Sequence, residues 1–233
     1  MKSTLINNLK VQGKIVKNAV AYVEDKTLFE VSQKLECYLK GNVEIPDEWD
    51  IELWKTIPMS LVVLKLKNDG IPYNKTQYLL TPNPNGKPSE INPDGGCLAL
   101  VKRDDKEEII EWYPLAISES KHQGTDNKPD QAKGNAIERL FKNYNVVTKI
   151  CKRDKVTPFV CFCQGCDMEN EFVRNKLRQG GCEVGLTTIK TDEYDFRRCS
   201  FWLRKETWTF DEIYEKVKAC AIEAFEYYKT NIE

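Results

Sequence analysis

A central sheet flanked by helices, an α/β fold, follows from two patterns in the sequence. Cys97 to Arg103 and Glu108 to Glu119 are apolar stretches joined by the charged turn Asp104-Asp105-Lys106, which predicts two β-strands. Apolar residues at helical spacing, opening on Thr27-Leu28-Phe29-Glu30 and Thr209-Phe210-Asp211-Glu212, predict helices that begin with capping boxes. With 233 residues, 41% of them hydrophobic, the chain can bury one substantial core, and residues 1–233 are expected to form a single domain.

Taken in order, Leu28, Val31, Leu35, Tyr38 and Leu39 mark a helix that packs on the sheet and stops at Gly41. Ser60 to Lys67 and Gln77 to Leu80 read as strands separated by Asn68-Asp69-Gly70, and the Pro/Asn/Gly-rich stretch from Thr81 to Pro93 reads as a loop. After the Glu119 strand, Gly124 to Lys133 is polar and suits a loop held against a ligand. Ile137, Leu140, Phe141, Tyr144, Val147 and Cys151 then define one face of a helix, and Asn135 with Glu138 has the form of a cap. Thr157 to Gln164 predicts a buried strand whose Cys161 and Cys163 share a face. The C-terminal helix should bury Ile213, Val217, Cys220, Ala224 and Tyr227 or Tyr228.

Composition removes several function classes. The first ten residues hold no apolar run long enough for a signal peptide and no later stretch approaches a membrane span, so a cytoplasmic protein without a membrane partner is expected. Nine cysteines without a secretory signal then imply free thiols in a reducing compartment. The single histidine, His122, excludes paired-histidine nuclease sites and two-histidine zinc or iron sites. Net charge is −1, yet Lys121 to Lys155 carries nine Lys/Arg against four Asp/Glu and Arg174 to Lys205 carries eight against four. Acid is gathered instead between Glu206 and Glu233, and such segregation is consistent with one phosphate-facing side.

The candidate chemistry lies where the predicted hairpin ends, which places the site at one edge of the sheet. Asp94, in Asn92-Pro93-Asp94-Gly95-Gly96, enters the first strand beside the end of the second, which carries Glu119 and Lys121. Two carboxylates there form a hard-oxygen site suited to Mg²⁺, which needs only one or two protein carboxylates when it also binds phosphate. Residues two apart on a strand share a face, so Lys121 stands beside Glu119 and can hold or deprotonate an attacking water.

Three further motifs follow in order: Glu119-Ser120-Lys121-His122-Gln123-Gly124, Gly134-Asn135-Ala136-Ile137-Glu138-Arg139, and Pro158-Phe159-Val160-Cys161-Phe162-Cys163-Gln164-Gly165. Together with Pro93-Asp94-Gly95-Gly96 they resemble the EcoRI family of type II restriction endonucleases over Pro93 to Gly165, roughly a third of the chain. The resemblance implies a PD-(D/E)xK core with a mixed five-stranded central sheet. It also implies Mg²⁺-dependent double-strand cleavage of palindromic DNA with an AATT core, leaving 5′-phosphates, by a homodimer whose host carries a cognate DNA methyltransferase.

Residue by residue, the resemblance implies that Asp94, Glu119 and the main-chain carbonyl of Ser120 hold Mg²⁺ and that Lys121 positions the water. Gly134, Asn135, Ala136, Glu138 and Arg139 would enter the major groove, where an Asn amide can pair with adenine N6 and N7 and a guanidinium with purine N7. The glycine before Asn135 permits close backbone approach. His122 and Gln123 would lie near the phosphate backbone. Lys133 matches a position that is arginine in one family member and alanine in another, so it would tune the flanking base pair. Twenty-five residues separate Asp94 from Glu119 and serine replaces the family's alanine at position 120, which is harmless if only the carbonyl is used.

Two other readings share parts of this pattern. A repair or recombination nuclease with the same metal site would cut by DNA structure, and the Gly-Asn-Ala-Ile-Glu-Arg segment speaks against it. A zinc-stabilised DNA-binding module could use Cys161, Cys163, Cys166 and Cys182, although structural zinc favours paired Cys-x₂₋₄-Cys knuckles and two of these cysteines fall on a predicted strand.

Overall fold

The first helix, α1 (residues 26–42), lays Leu28, Val31, Leu35 and Leu39 into the core at the predicted helical spacing. It is already under way at residue 26, so Thr27 lies inside it rather than capping it. The computed structural model describes residues 26–71, 90–122, 135–165, 171, 175 and 199–232, with the backbone alone described for 135–142. The predicted strand Gln77 to Leu80, the loop from Thr81 to residue 89, and Gln123, Lys133, Gly134, Cys166 and Cys182 lie outside the described residues.

The central sheet has five strands in the order β1-β4-β5-β6-β7. These are β1 (Trp49–Trp54), β4 (Cys97–Arg103), β5 (Ile109–His122), β6 (Phe159–Gln164) and β7 (Ser200–Arg204); a small second sheet pairs β2 (Ile57–Pro58) with β3 (Glu90–Ile91). The pairs β1·β4 and β4·β5 are antiparallel, while β5·β6 and β6·β7 are parallel, so the sheet is mixed as expected. β5 runs three residues further than the sequence predicts, which places Glu119 and Lys121 within the strand.

Alternation along the strands feeds two cores. On one face Ala99, Val101, Ile117, Phe159, Cys161 and Phe201 pack under α2 (Met59–Asn68) and α3 (Asn135–Ile150). On the other face Leu98, Leu100, Leu115, Val160, Phe162 and Trp202 pack under α1 and the C-terminal helix α4 (Phe210–Ile232). Each fully buried Leu, Val or Phe contributes about 1.5–3 kcal/mol relative to exposure. β6, buried along its whole length between two helical layers, has the continuous apolar run expected of a parallel inner strand.

Two expectations are overturned. Ser60 to Lys67, read as a strand, belongs to α2, and what is buried there is Met59, Val62, Lys65 and Leu66, a helical rather than an alternating set. Lys65 is 1% exposed, and its ammonium meets Asp69 at 2.7 Å, the neighbour one turn on, and Asp154 at 3.3 Å, far along the chain. Tyr228 also donates to Asp154, at 2.9 Å, so this buried charge ties α2 to the segment after α3 and to α4. Second, the candidate site does not sit on an edge strand: β5 is the middle strand of five. It ends at the rim of the sheet, but its neighbours cover it on both sides and Glu119 is only 3% exposed.

Candidate active site

The Pro93-Asp94-Gly95-Gly96 turn is shaped by how closely it must approach β5. The Gly95 amide donates to the Ser118 carbonyl at 3.0 Å, and Gly96 donates back to Pro93 at 3.0 Å. A Cβ at Gly95 would sit 2.0 Å from Ser118 Oγ, and Gly96 combines φ +75° with a would-be Cβ 2.6 Å from the Trp54 carbonyl. At Gly96 only glycine fits without moving backbone, and a side chain at Gly95 would have to displace the buried Ser118 hydroxyl. The turn thereby holds Asp94 against the end of β5: the Asp94 amide donates to Glu119 Oε2 at 3.2 Å, and the Ser120 amide donates to Asp94 Oδ2 at 2.9 Å.

Three oxygens converge on one point. The Lys121 ammonium donates to Asp94 Oδ2 at 2.9 Å, to Glu119 Oε1 at 2.5 Å and to the Ser120 carbonyl at 2.6 Å. These are the two carboxylates and the carbonyl that the family resemblance implies for Mg²⁺, and the ammonium occupies the place where their negative charge is focused. A donor set of hard oxygens gathered around a cation fits Mg²⁺, which tolerates few protein ligands and keeps several waters. Among the described residues no cluster of three or more His, Cys, Asp or Glu that could hold a metal ion occurs.

Electrostatics reinforce the arrangement. Burial raises the Glu119 carboxyl above its ordinary range and the Asp94 charge adds to the rise, opposed by Lys121 and by the amide of Asn143. Burial also disfavours the Lys121 charge, but the neighbouring Glu119 and Asp94 carboxylates outweigh it and hold the ammonium above its usual value. Lys121 is therefore a firmly protonated cation in this arrangement, suited to holding a water or a phosphate oxygen by donation.

Asn143 on α3 is a participant that the sequence motifs do not mark. Its side-chain amide donates to Glu119 Oε2 at 3.2 Å, from a position 9% exposed. Of the remaining expected residues, His122 ends β5 on an exposed position, and Asn135, Ala136, Glu138 and Arg139 form the first turns of α3. Cys161 and Cys163 lie on β6 beside Glu119 and Lys121, fully buried, with sulfurs 3.6 Å apart. Burial and the adjacent Cys163 thiol push the Cys161 thiol up.

A mixed sheet between two helical layers, with Asp94, Glu119 and Lys121 gathered at the rim of its central strand, fits the PD-(D/E)xK restriction-endonuclease-like core that the motif resemblance implies. Residues 85–192 match the family model for restriction endonuclease EcoRI. The chain is 32% identical over 97 residues to the type II restriction enzyme EcoRI of Escherichia coli, covering 36% of this chain and 33% of that protein. It is 33% identical over 177 residues to the type II restriction enzyme RsrI of Cereibacter sphaeroides, covering 57% of this chain and 62% of that protein. The chain is thus similar to EcoRI-type restriction enzymes over part of its length, spanning a third of one curated relative and less than two thirds of the other.

Proposed function

We propose that the protein is a type II restriction endonuclease that cuts both strands of a palindromic DNA site with an AATT core, in a Mg²⁺-dependent reaction leaving 5′-phosphates. The observation that carries this reading is the convergence of Asp94, Glu119 and the Ser120 carbonyl on the Lys121 ammonium at the end of β5. Its likeness to proteins named type II restriction enzymes supports it.

Asp94, Glu119 and the Ser120 carbonyl would hold the ion. Bound Mg²⁺ supplies charge stabilisation at the scissile phosphate and makes water a stronger nucleophile at neutral pH. Lys121, whose ammonium meets both carboxylates, would orient the attacking water or a nonbridging phosphate oxygen for in-line displacement. The Asp94 amide and Asn143 hold the second oxygen of Glu119, so that Oε1 faces the reacting centre.

Recognition is assigned to the segment that opens α3. Gly134, Asn135, Ala136, Glu138 and Arg139 read the AATT pairs, His122 and Gln123 lie by the phosphates, and Lys133 meets the pair just outside. The protein acts as a homodimer of single-domain chains, cytoplasmic in its host and accompanied by a methyltransferase that protects the same site. No helix among the described residues is long and apolar enough to cross a membrane.

Incubating the purified protein with mixed-sequence DNA and Mg²⁺, then sequencing the ends, tests the proposal. Discrete 5′-phosphorylated ends within a shared AATT-centred site are expected. Ends that track branches, flaps or single-stranded junctions would instead assign the core to a structure-selective nuclease.

A further inference from the structure

We propose that Asn143 is a positioning residue that fixes the Glu119 carboxylate and so links the seating of α3 to the metal-holding geometry. This inference rests on the nuclease reading above, because it gives that site a part the motifs do not contain.

A carboxylate can only accept, so the Asn143 amide must turn its NH₂ toward Glu119 and is held in one orientation. Glu119 Oε2 accepts from Asn143 at 3.2 Å and from the Asp94 amide at 3.2 Å, while Oε1 meets Lys121 at 2.5 Å. The two oxygens are thus divided: one is tied to the protein frame, the other is presented to the cationic point. Glu119 is 3% exposed and Asn143 is 9% exposed, so water has little access to replace the amide.

The donor arrives on a helix whose other end has a different task. Asn135, Arg139 and Asn143 are four residues apart in turn, which places them along one stripe of α3. The stripe runs from the turns assigned to base reading down to the metal-holding carboxylate. A shift of α3 along or about its axis therefore changes the Asn143 to Glu119 distance directly, with no intervening element. DNA that seats the helix correctly would leave this hydrogen bond intact, and DNA that seats it poorly would lengthen it.

Asn143→Leu removes the donor while keeping the same number of side-chain heavy atoms, and Asn143→Gln keeps an amide on a longer arm. Partners that orient metal ligands are typically worth about 10–100-fold in metal affinity or activity. Two readouts separate positioning from folding: Mn²⁺ affinity of the protein without DNA, followed by the electron paramagnetic resonance of free Mn²⁺, and the single-turnover cleavage rate at saturating Mg²⁺. For Asn143→Leu we expect Mn²⁺ affinity about tenfold weaker and the rate down about 10–100-fold, with Ca²⁺-supported affinity for the cognate site within about threefold of the wild type. Asn143→Gln should recover part of the Mn²⁺ affinity. If Asn143→Leu keeps wild-type Mn²⁺ affinity and, in its folded fraction, a wild-type rate, the inference is overturned. Mn²⁺ affinity that depends on Asn143 in a protein that cuts no DNA would uphold the positioning role and overturn the nuclease reading instead.

Discussion

Lys121 is the residue on which the site's charge balance turns. Among the described residues it is the one ammonium within 3 Å of both Asp94 and Glu119, and without it two carboxylates face each other at a poorly hydrated rim. Lys121→Met should cost about 2–3 kcal/mol in metal-free buffer, less than a fully buried pair because Lys121 and Asp94 keep partial exposure. For a chain of this size that is a fall in Tm of about 5–10 °C. Millimolar Mg²⁺ should restore more of the Tm in the variant than it adds to the wild type, because a divalent ion can take the vacated point without displacing an ammonium. Equal Mg²⁺ shifts in the two proteins would show that the three oxygens do not form the ion's site. Cleavage should fall about a hundredfold or more in Asp94→Asn, Glu119→Gln and Lys121→Met alike. Lys133→Ala probes a different property: with a base contact, cleavage-site profiling shows a looser preference at the pair flanking AATT. With a phosphate contact, binding weakens uniformly and the salt slope drops by about one.

At the scale of the element, α4 shows how a sequence signature becomes an energetic one. Thr209 and Glu212 form the predicted capping box, the Thr209 amide donating to Glu212 at 2.9 Å and the Glu212 amide donating to Thr209 Oγ1 at 3.4 Å. Arg204 at the end of β7 adds two donors to the same carboxylate, each at 2.7 Å, and chiefly this pairing lowers the Glu212 carboxyl from 4.5 to about 2. A carboxyl depressed on folding contributes stability that is present above its unfolded value and lost as pH falls through its folded one. Glu212→Gln should therefore cost about 1 kcal/mol at pH 7, discounted for exposure, and the gap to wild type in urea unfolding should begin to close near pH 4.5 and be nearly gone near pH 2. A gap that stays constant over that range would remove the charge from the account.

The same scale explains what the sequence could and could not reveal. α1, α4, β4 and β6 were legible because each carries a periodic apolar pattern that its own residues set. α2 was not: Leu61-Val62-Val63-Leu64 has strand-like β-branched content, and its helical register depends on Lys65 finding Asp154 across a long sequence separation. Local propensity yields to tertiary context in such a segment. In the site, spacing disclosed Asp94, Glu119 and Lys121, whereas the central rather than marginal place of β5 required the strand order. Asn143 had no motif at all. Its only sequence cue is a polar residue beside the apolar Tyr144 and Val147 on the inner face of α3.

For the molecule as a whole, the parallel run β5-β6-β7 brings three strand ends to one rim, with Lys121 and His122, Gln164 and Arg204 at the corresponding C-terminal positions. A single chain supplies one such rim and one constellation of Asp94, Glu119 and Lys121, which under the proposed function would act on one phosphodiester at a time. Cutting both strands of a palindrome at equivalent positions then calls for a second copy related by a twofold axis, which places each constellation on its own strand. A mixed dimer of one wild-type and one Glu119→Gln chain, purified through two different affinity tags, isolates this arrangement. Supercoiled plasmid carrying one site should be converted to nicked circles at a rate near half that of the first cut by the intact dimer, with linear DNA accumulating at least about tenfold more slowly. The nick should fall on either strand with equal frequency, because a symmetric site gives the mixed dimer two equivalent orientations. Linear product formed as fast as by the intact dimer would mean that one constellation serves both strands, and the symmetric-dimer proposal would be withdrawn.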